Sequence, residues 1–364
     1  MPGQTTRALL AAALAAALSA ATLSAAAADQ RPRQPRTERV STASDGAQLD
    51  RESLRAALSD DGRYVAFSTK ASVLRGCERQ TYVCLAVKDR ITGRLSWIEN
   101  GGGFDWGPPV LSGDGRRVGY TEGTKGPSAW VHDLDTGEST RVESSAQIQA
   151  LTPDGRYVLY TSGDDRFVTD RYVSVRDLTT GTTERVEGDA THTRFGAASL
   201  SADGRYVAYV KRGAGPEGDP AFAVYVKDRV TGETVRADGG LGAADRHFVQ
   251  ISGDGRRVLF VAEGRTYQYD LRRGTARKVA DTPARSASRN ARYAALAEGG
   301  PGGEHVVLLD VRTGRRTALA PGETRAGTVS VTARGREVVF TSSAPDLVPD
   351  DTNGTSDVFV RRVR

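Results

Sequence analysis

The amino-acid sequence predicts an all-β fold, a seven-bladed β-propeller, from two turn motifs that alternate along the chain and from their spacing. The first motif is Asp-Gly-Arg, preceded by Leu-Ser and followed by Val-x-aromatic, as in residues 58–67. Its central residue recurs at steps of 53, 40, 49, 51, 36 and 44 residues, at Gly62, Gly115, Gly155, Gly204, Gly255, Ala291 and Gly335. A period of this size in β-type units is typical of propeller blades.

The first motif predicts a tight hairpin that leads into the second strand of each blade. Glycine adopts a positive φ without a Cβ clash, and aspartate accepts hydrogen bonds from nearby backbone N–H groups. After the turn, an apolar residue and an aromatic residue stand two positions apart and share one face of the strand. These pairs are Val65 and Phe67, Val118 and Tyr120, Val158 and Tyr160, Val207 and Tyr209, Val258 and Phe260, Ala294 and Leu296, and Val338 and Phe340.

The second motif, Asp-x-x-Thr-Gly, predicts the hairpin between the third strand and an exposed fourth strand. An alternating run precedes the motif, as in residues 223–226, and a polar run follows it, as in residues 233–237. The motif occupies residues 89–93, 133–137, 177–181, 228–232 and 310–314, and residues 270–274 carry Arg273 in place of threonine.

The N-terminal segment supplies a strand that the last blade needs. The first motif occurs seven times and the second six times, and the sequence stops where the seventh second motif would begin. Residues 37–41 resemble the fourth-strand segments 183–187 and 140–143. We therefore expect residues 37–43 to pair beside residues 357–363, which closes the ring without an open sheet edge.

The segment from Thr152 to Tyr160, Thr-Pro-Asp-Gly-Arg-Tyr-Val-Leu-Tyr, resembles the repeat of TolB-type, WD40-like β-propellers. The resemblance covers essentially all of residues 29–364 and implies the propeller fold. Two features of this chain depart from that family. TolB carries an α/β domain ahead of its propeller, whereas we expect only a linker over residues 29–36 here. TolB-type propellers commonly have six blades, whereas this sequence predicts seven. The resemblance therefore implies nothing about TolB's role in an outer-membrane complex.

Residues 1–28 have the pattern of a cleaved signal peptide, because Arg7 precedes an apolar stretch that ends in small residues at 26–28. A transmembrane anchor is the alternative, but the stretch is rich in alanine rather than leucine. We expect a linker over residues 29–36 and the propeller over residues 37–364, in a secreted or periplasmic protein with no transmembrane segment after cleavage. The 50 basic and 45 acidic residues are interspersed, and we expect no nucleic-acid partner.

The long, variable loops fall on one predicted face, which we call the variable-loop face; the turns of the two motifs form the opposite, tight-turn face. The loops are residues 70–82, 100–108, 163–171, 188–196, 211–221, 239–247 and 342–356. Because binding residues concentrate on such loops, this face is the candidate site. Phe104, Asp105 and Trp106 are candidates for ligand binding there. The two rings either form a stacking platform for sugar or peptide or fill the gap between the first two blades.

Three histidines, His192, His247 and His305, are also candidates for ligand binding, since all three can reach the variable-loop face in consecutive blades. Three convergent imidazoles can hold a metal that assists lyase or hydrolase chemistry. The simpler interpretation is three isolated surface histidines, and it is favoured because no sequence spacing links them.

The loop over residues 346–357 resembles a Ca²⁺-binding loop. Asp351, Asn353 and Asp357 supply hard oxygen ligands, and Gly354 allows a sharp bend. No glutamate follows at the bidentate position of an EF-hand, so an Asx-rich turn that holds a long hairpin is the favoured alternative. Calcium is therefore the cofactor that this loop suggests, and the sequence makes no cofactor certain.

Two cysteines, Cys77 and Cys84, stand seven residues apart, and in an oxidising compartment this spacing predicts a disulfide rather than a metal site. A gapless register aligns residues 67–89 of the first blade with residues 340–362 of the last. In this register Cys84 takes the place of Asp357, so a disulfide in one loop corresponds to carboxylate contacts in the other.

The sequence favours a non-catalytic binding or scaffold module that recognises a protein or a cell-surface polymer. It contains no Gly-x-Ser-x-Gly nucleophile motif. The alternative is a carbohydrate-active enzyme, a glycoside hydrolase or lyase, at the channel mouth on the variable-loop face. Loop carboxylates such as Asp105 and Asp164 are available for such chemistry. Two carboxylates across the mouth, or three histidines within reach of one metal, would favour the enzyme.

Overall fold

The protein is described by a computed structural model that covers residues 37–74, 83–103, 107–123, 126–163, 171–188, 194–214, 220–241, 244–300, 303–319 and 329–363. These residues belong to one compact unit, Thr37–Val363. The unit consists of seven four-stranded antiparallel sheets, which confirms the predicted seven-bladed β-propeller. In the described ranges every regular element is a strand, and no helix there is long and apolar enough to cross a membrane.

Blades 1 to 3 each contain four consecutive strands. Blade 1 comprises β2 (Ser53–Leu58), β3 (Tyr64–Thr69), β4 (Val83–Asp89) and β5 (Leu95–Gly103). Blade 2 comprises β6 (Val110–Leu111), β7 (Arg117–Glu122), β8 (Ser128–Asp133) and β9 (Ser139–Ser144). Blade 3 comprises β10 (Ala146–Leu151), β11 (Tyr157–Ser162), β12 (Tyr172–Asp177) and β13 (Thr183–Glu187).

Blades 4 to 6 repeat this order. Blade 4 comprises β14 (Phe195–Leu200), β15 (Tyr206–Ala214), β16 (Pro220–Asp228) and β17 (Thr234–Arg236). Blade 5 comprises β18 (Ala244–Ile251), β19 (Arg257–Ala262), β20 (Arg265–Asp270) and β21 (Thr275–Ala280). Blade 6 comprises β22 (Ala284–Ala287), β23 (Tyr293–Gly300), β24 (Gly303–Asp310) and β25 (Arg316–Ala318).

Blade 7 joins the two ends of the unit, as the sequence predicts. Its strand order is β1 (Thr37–Arg39), β28 (Asp357–Arg362), β27 (Glu337–Ser342) and β26 (Val329–Val331). Thr37 pairs with Arg361 and Arg39 with Phe359, and the Val40 N–H donates to the Val358 carbonyl at 2.8 Å. The N-terminal strand therefore covers the edge that β28 would otherwise expose.

The second strands form the core as predicted. All seven apolar positions that follow the first turn, from Val65 to Val338, are fully buried, and their aromatic or leucine partners are at most 5% exposed. The aligned hairpins of blades 1 and 7 also share their register, because Thr69 pairs with Cys84 and Ser342 pairs with Asp357. The repeated motif therefore places equivalent side chains in the core of every blade.

The first turn is closed by its own serine and aspartate. In blade 1 the Ser59 hydroxyl donates to Asp61 Oδ1 at 2.6 Å and accepts from the Tyr64 N–H at 3.0 Å. Asp61 Oδ1 also accepts from the Arg63 N–H at 2.9 Å. The same arrangement recurs at Ser112, Thr152, Ser201 and Ser252. Local side-chain to backbone bonds of this kind fix a tight turn.

The two turns of a blade are held together by an arginine–aspartate pair. Arg63 donates two hydrogen bonds to Asp89, at 3.1 and 2.7 Å, and this arginine lowers the pKa of Asp89 to about 2. Arg156 with Asp177, Arg205 with Asp228, and Arg292 with Asp310 repeat the contact. These pairs place both turns on one face of the ring.

Neighbouring blades pack through the turn glycines. A Cβ atom at Gly115, Gly204, Gly255 or Gly335 would overlap the ring of the tyrosine at the start of the preceding blade's second strand. Between blade 7 and blade 1 the glycine faces a glutamate in place of a tyrosine, because a Cβ at Gly62 would overlap Glu337 of blade 7. Arg90 donates to both the Gly62 carbonyl and Glu337, which ties blade 1 to blade 7.

Candidate functional site

The first strands of all seven blades line a central channel with a volume of about 320 Å³. Its wall is mixed in character. Apolar lining comes from residues such as Ala57, Val110, Ala198 and Val331, and polar lining from Asp60, Gln149, His247, Gln250, Arg285 and Arg289. Concave surfaces with a few convergent polar groups are the usual ligand sites of proteins.

Irregular first strands aim these polar groups. Register shifts interrupt the pairing of β2, β10, β14, β18 and β22 with their second strands. Such bulges redirect side chains and are frequent next to binding sites. Gln149 lies at the shift in β10, and its amide both donates to Thr161 at 3.2 Å and accepts from the Ala198 N–H of blade 4 at 3.3 Å. The wall is therefore held by bonds between blades.

Arg289 crosses the channel at the tight-turn face. Its Nε donates to Asp60 Oδ2 of blade 1 at 2.7 Å, and its Nη1 donates to the Leu151 carbonyl of blade 3 at 3.0 Å. Because Arg289 belongs to blade 6, one side chain touches three blades of the ring. Its own carbonyl accepts from the Gly253 N–H of blade 5 at 2.8 Å. We call this contact the Arg289 bridge.

The opposite end of the channel lies at the variable-loop face, where the first strands begin. Arg285 is the second residue of β22 and is exposed, as is His247 in the middle of β18. Pro108 and Pro109, which precede β6, line the same channel. A ligand that enters from the variable-loop face therefore meets a guanidinium and an imidazole before it reaches the Arg289 bridge.

The structure places some of the predicted site residues and leaves others outside its described ranges. His247 lines the channel. His305 lies instead on β24, the third strand of blade 6, with its Nε2 4.0 Å from Glu298 Oε2. Within the described ranges, no three His, Cys, Asp or Glu side chains are grouped so that they can hold a metal. The remaining candidates, Phe104, Asp105, Trp106, Asp164 and His192, lie outside the described residues, so a shared site with His247 stays a prediction.

The disulfide also stays a prediction. Cys84 lies on β4 and is 2% exposed, whereas Cys77 lies outside the described residues.

The loop over residues 350–357 forms a buried polar network. Asp357 is fully buried, and its carboxylate accepts from the Ser41 hydroxyl at 2.5 Å and from Gln48 Nε2 at 2.7 Å. Gln48 Nε2 donates to Asp351 Oδ1 at 2.8 Å as well, and Asn353 Nδ2 donates to Asp357 Oδ2 at 3.3 Å. Burial raises the pKa of Asp357 although these donors oppose the shift. The contacts match the Asx-turn interpretation, and Ca²⁺ binding by Asp351, Asn353 and Asp357 stays a prediction.

The sequence did not point to Gln48 or Ser41 as partners of this loop. They lie more than 300 residues from Asp351 and Asp357, with separations such as 309 for Gln48 and Asp357. The one available signal is the predicted pairing of residues 37–43 beside residues 357–363, which brings the segments together without specifying side chains.

Solved structures of other proteins are similar in fold to this chain. An oligogalacturonate lyase in complex with manganese aligns with a TM-score of 0.62 at 14% identity, over 92% of this chain and 97% of that one. The β-propeller domain of the Trilobed protease from Pyrococcus furiosus aligns with a TM-score of 0.59 at 14% identity, over 80% and 89%. The β-propeller domain of Cps50 (Swd1) from Myceliophteria thermophila gives 0.55 at 12% identity, over 84% and 96%.

At such low identities these similarities show the fold alone. The protein is a seven-bladed β-propeller, the fold that the TolB-type, WD40-like resemblance implied, with a channel crossed by an arginine at its tight-turn face. No protein-family model and no curated protein matches its sequence.

Proposed function

We propose that the protein is an exported, non-catalytic binding or scaffold propeller. It takes the end or a side group of a protein or cell-surface polymer at the channel mouth on the variable-loop face. The observation that carries this proposal is the Arg289 bridge, in which Arg289 contacts both Asp60 and the Leu151 carbonyl. From this contact we infer that the channel is blind at the tight-turn face, which suits capture of a terminus or side group rather than threading of a polymer.

The charges of the described channel wall also support binding. Glycoside hydrolysis requires two carboxylates on either side of the scissile bond. Among the described wall residues the one carboxylate belongs to Asp60, and Arg289 neutralises it at 2.7 Å. Arg285 and His247 near the mouth offer hydrogen-bond donors, so the wall favours ligands that bear carboxylate, carbonyl or hydroxyl oxygens.

The alternative is a carbohydrate-active enzyme, a glycoside hydrolase or lyase, at the same mouth. The similarity to an oligogalacturonate lyase in complex with manganese is the observation that favours it. In the part of this chain that the structure describes, no set of metal-binding side chains fits that ion. We therefore assign no catalytic step to the channel.

A binding screen with matched variants tests the proposal. The mature protein, residues 29–364, is titrated against glycan arrays, cell-wall fragments and envelope proteins. Arg285→Ala should weaken binding of any ligand of the mouth by about tenfold, because a charged hydrogen bond contributes on the order of 1.5–3 kcal/mol.

The matched control is Arg94→Ala, at an exposed arginine on the tight-turn face. It should leave the affinity of a mouth ligand unchanged. Equal losses in both variants, or no ligand in the screen, would overturn the proposed site at the mouth.

A further inference from the structure

Arginines with no acidic partner among the described residues accumulate on the tight-turn face of blades 5, 6 and 7. Five of them are exposed, lie in the turns between strands and form no ion pair with the described residues; we call these five the basic arc. They are Arg272, Arg312, Arg315, Arg334 and Arg336. Carboxylates on the same turns are already occupied: Asp270 pairs with Arg273, Asp310 with Arg292, and Glu337 with Arg90 and Arg362.

In blades 1, 3 and 4, arginines on this face are paired with aspartates. Their turn arginines Arg63, Arg156 and Arg205 each lie 2.6–2.7 Å from an aspartate of the same blade. Blade 6 keeps the equivalent pair and carries Arg312 and Arg315 in addition. The arc is therefore a local excess of positive charge and not a general property of the repeat.

Two of these three blades, 6 and 7, lack the aspartate of the first turn. Blades 1 to 5 carry Asp61, Asp114, Asp154, Asp203 and Asp254 at this position, whereas blade 6 carries Asn290 and blade 7 carries Arg334.

The loss removes negative charge while the turn is preserved. Asn290 Oδ1 accepts from the Ser288 hydroxyl at 2.7 Å and from the Arg292 N–H at 3.0 Å, as the aspartates do. In blade 7 the Thr332 hydroxyl accepts from the Arg336 N–H at 3.1 Å, and the Gly335 N–H donates to the Thr332 carbonyl at 2.9 Å. The hydrogen bonds of the turn therefore do not require the two replacements, whose net effect is a more positive charge on this face.

Contacts link the neighbouring blades that carry the arc. Arg277 of blade 5 donates to the Val311 carbonyl, beside Arg312, at 3.2 Å. In blade 7, Gly335 lies between Arg334 and Arg336 and packs against the ring of Tyr293 in blade 6. The arginines therefore lie on one face of three blades that contact one another in sequence around the ring.

We propose that the basic arc binds a polymer that carries repeated phosphate or carboxylate groups, such as a polyol phosphate or a polyuronate of a cell surface. Guanidinium groups match the planar, bidentate geometry of these anions better than ammonium groups do. No aromatic residue occurs in the turns at 270–274, 288–292, 310–315 and 332–336, so the arc offers no platform on which nucleic-acid bases stack. This surface is independent of the channel mouth and lies on the opposite face.

The test compares two charge-matched double variants of the mature protein. Arg312→Glu with Arg334→Glu reverses two charges of the arc, and Arg94→Glu with Arg116→Glu reverses two exposed arginines on the same face of blades 1 and 2. Inorganic polyphosphate and polygalacturonate are the probes, with titrations over a series of salt concentrations.

The arc variant should lose about tenfold or more in affinity for one or both probes, and its affinity should depend less steeply on salt. The control variant should lose less than about twofold. The stronger probe distinguishes phosphate from carboxylate chemistry.

Equal losses in both variants would overturn the arc, because they would reflect net charge alone. No binding by the unaltered protein would overturn it too, as would tighter binding of single-stranded DNA or of an acidic peptide than of either probe. Both variants should melt at the same temperature as the unaltered protein, which establishes that they are folded.

Discussion

At the scale of single residues, a few polar side chains form hydrogen bonds that join separate parts of the ring. Arg289 is partly buried and joins three blades through hydrogen bonds of 2.7 and 3.0 Å at one end of the channel. Asp357 is fully buried and joins β28 to the N-terminal segment through Ser41 and Gln48. Buried polar groups of this kind stabilise a fold only while every partner is present.

The Asp357 network predicts a stability loss that is independent of calcium. Asp357→Ala leaves the Ser41 hydroxyl and the Gln48 amide without their shared acceptor, and we expect a loss of about 1–3 kcal/mol in the free energy of unfolding. Chemical denaturation with Ca²⁺ and with chelator should give the same loss. A stabilisation of the unaltered protein by Ca²⁺ that disappears in Asp357→Ala would instead establish the metal site of Asp351, Asn353 and Asp357.

Glu122 predicts a pH dependence of stability. This half-buried residue ends β7, its Oε2 accepts no hydrogen bond from the described residues, and burial raises its pKa from 4.5 to about 7. The folded state therefore holds this proton more tightly than the unfolded state. The resulting stabilisation is complete below the unfolded pKa and is lost as pH rises through about 7.

We expect Glu122→Gln to gain about 1–2 kcal/mol over the unaltered protein between pH 5 and pH 8. One pKa unit corresponds to about 1.4 kcal/mol, and solvent screening at this half-exposed carboxyl reduces the effect of the full shift by about half. The free energy of unfolding by denaturant at both pH values measures this gain. Glu138→Gln, at an exposed glutamate, is the matched control and should show no gain. A flat difference between Glu122→Gln and the unaltered protein across this range would refute the assignment.

At the scale of elements, the sequence predicts the strands and turns well because each depends on local chemistry. The Val and aromatic columns are buried as expected, and the hairpins of blades 1 and 7 share the predicted register. Contacts across the ring could not be predicted in the same way. Arg289 and Asp60 lie 229 residues apart, and no spacing rule relates them. Much of the variable-loop face also lies outside the described residues, and its candidate residues stay predictions.

The turn glycines predict how blades pack. Gly255 and Gly232 both have a positive φ, of 70° and 78°, but only a Cβ at Gly255 would overlap a neighbouring ring, that of Tyr206. Gly255→Ala should therefore lower the free energy of unfolding by about 1–3 kcal/mol more than Gly232→Ala, which carries the backbone strain alone. Denaturant unfolding of both variants measures the difference, and equal losses would show that the glycine–tyrosine contact contributes little.

At the scale of the whole molecule, the ring is closed by the pairing of β1 with β28 and by the contacts of Arg90 with Glu337. Opening it exposes the backbone groups of β28, an unprotected edge that favours aggregation. The closed ring in turn positions seven first strands around one channel, so the site depends on closure.

Removal of the N-terminal strand tests this dependence. Deletion of residues 29–43 should lower the melting temperature of the mature protein by several degrees and promote aggregation, because β28 loses its partner. Deletion of residues 29–36 alone keeps β1 and should melt like the mature protein. If the longer deletion also melts like the mature protein and stays monomeric, the closure by β1 is not required.

The central claim is that this propeller captures a ligand at a blind channel without transforming it. The most direct measurement is the mass of a bound polymer or peptide, found in the binding screen, before and after prolonged incubation with the mature protein, with and without Mn²⁺. We predict an unchanged mass spectrum, together with binding that Arg285→Ala weakens. Shortened or unsaturated products that are absent from an Arg285→Ala incubation would contradict the claim and establish an enzyme at the channel mouth.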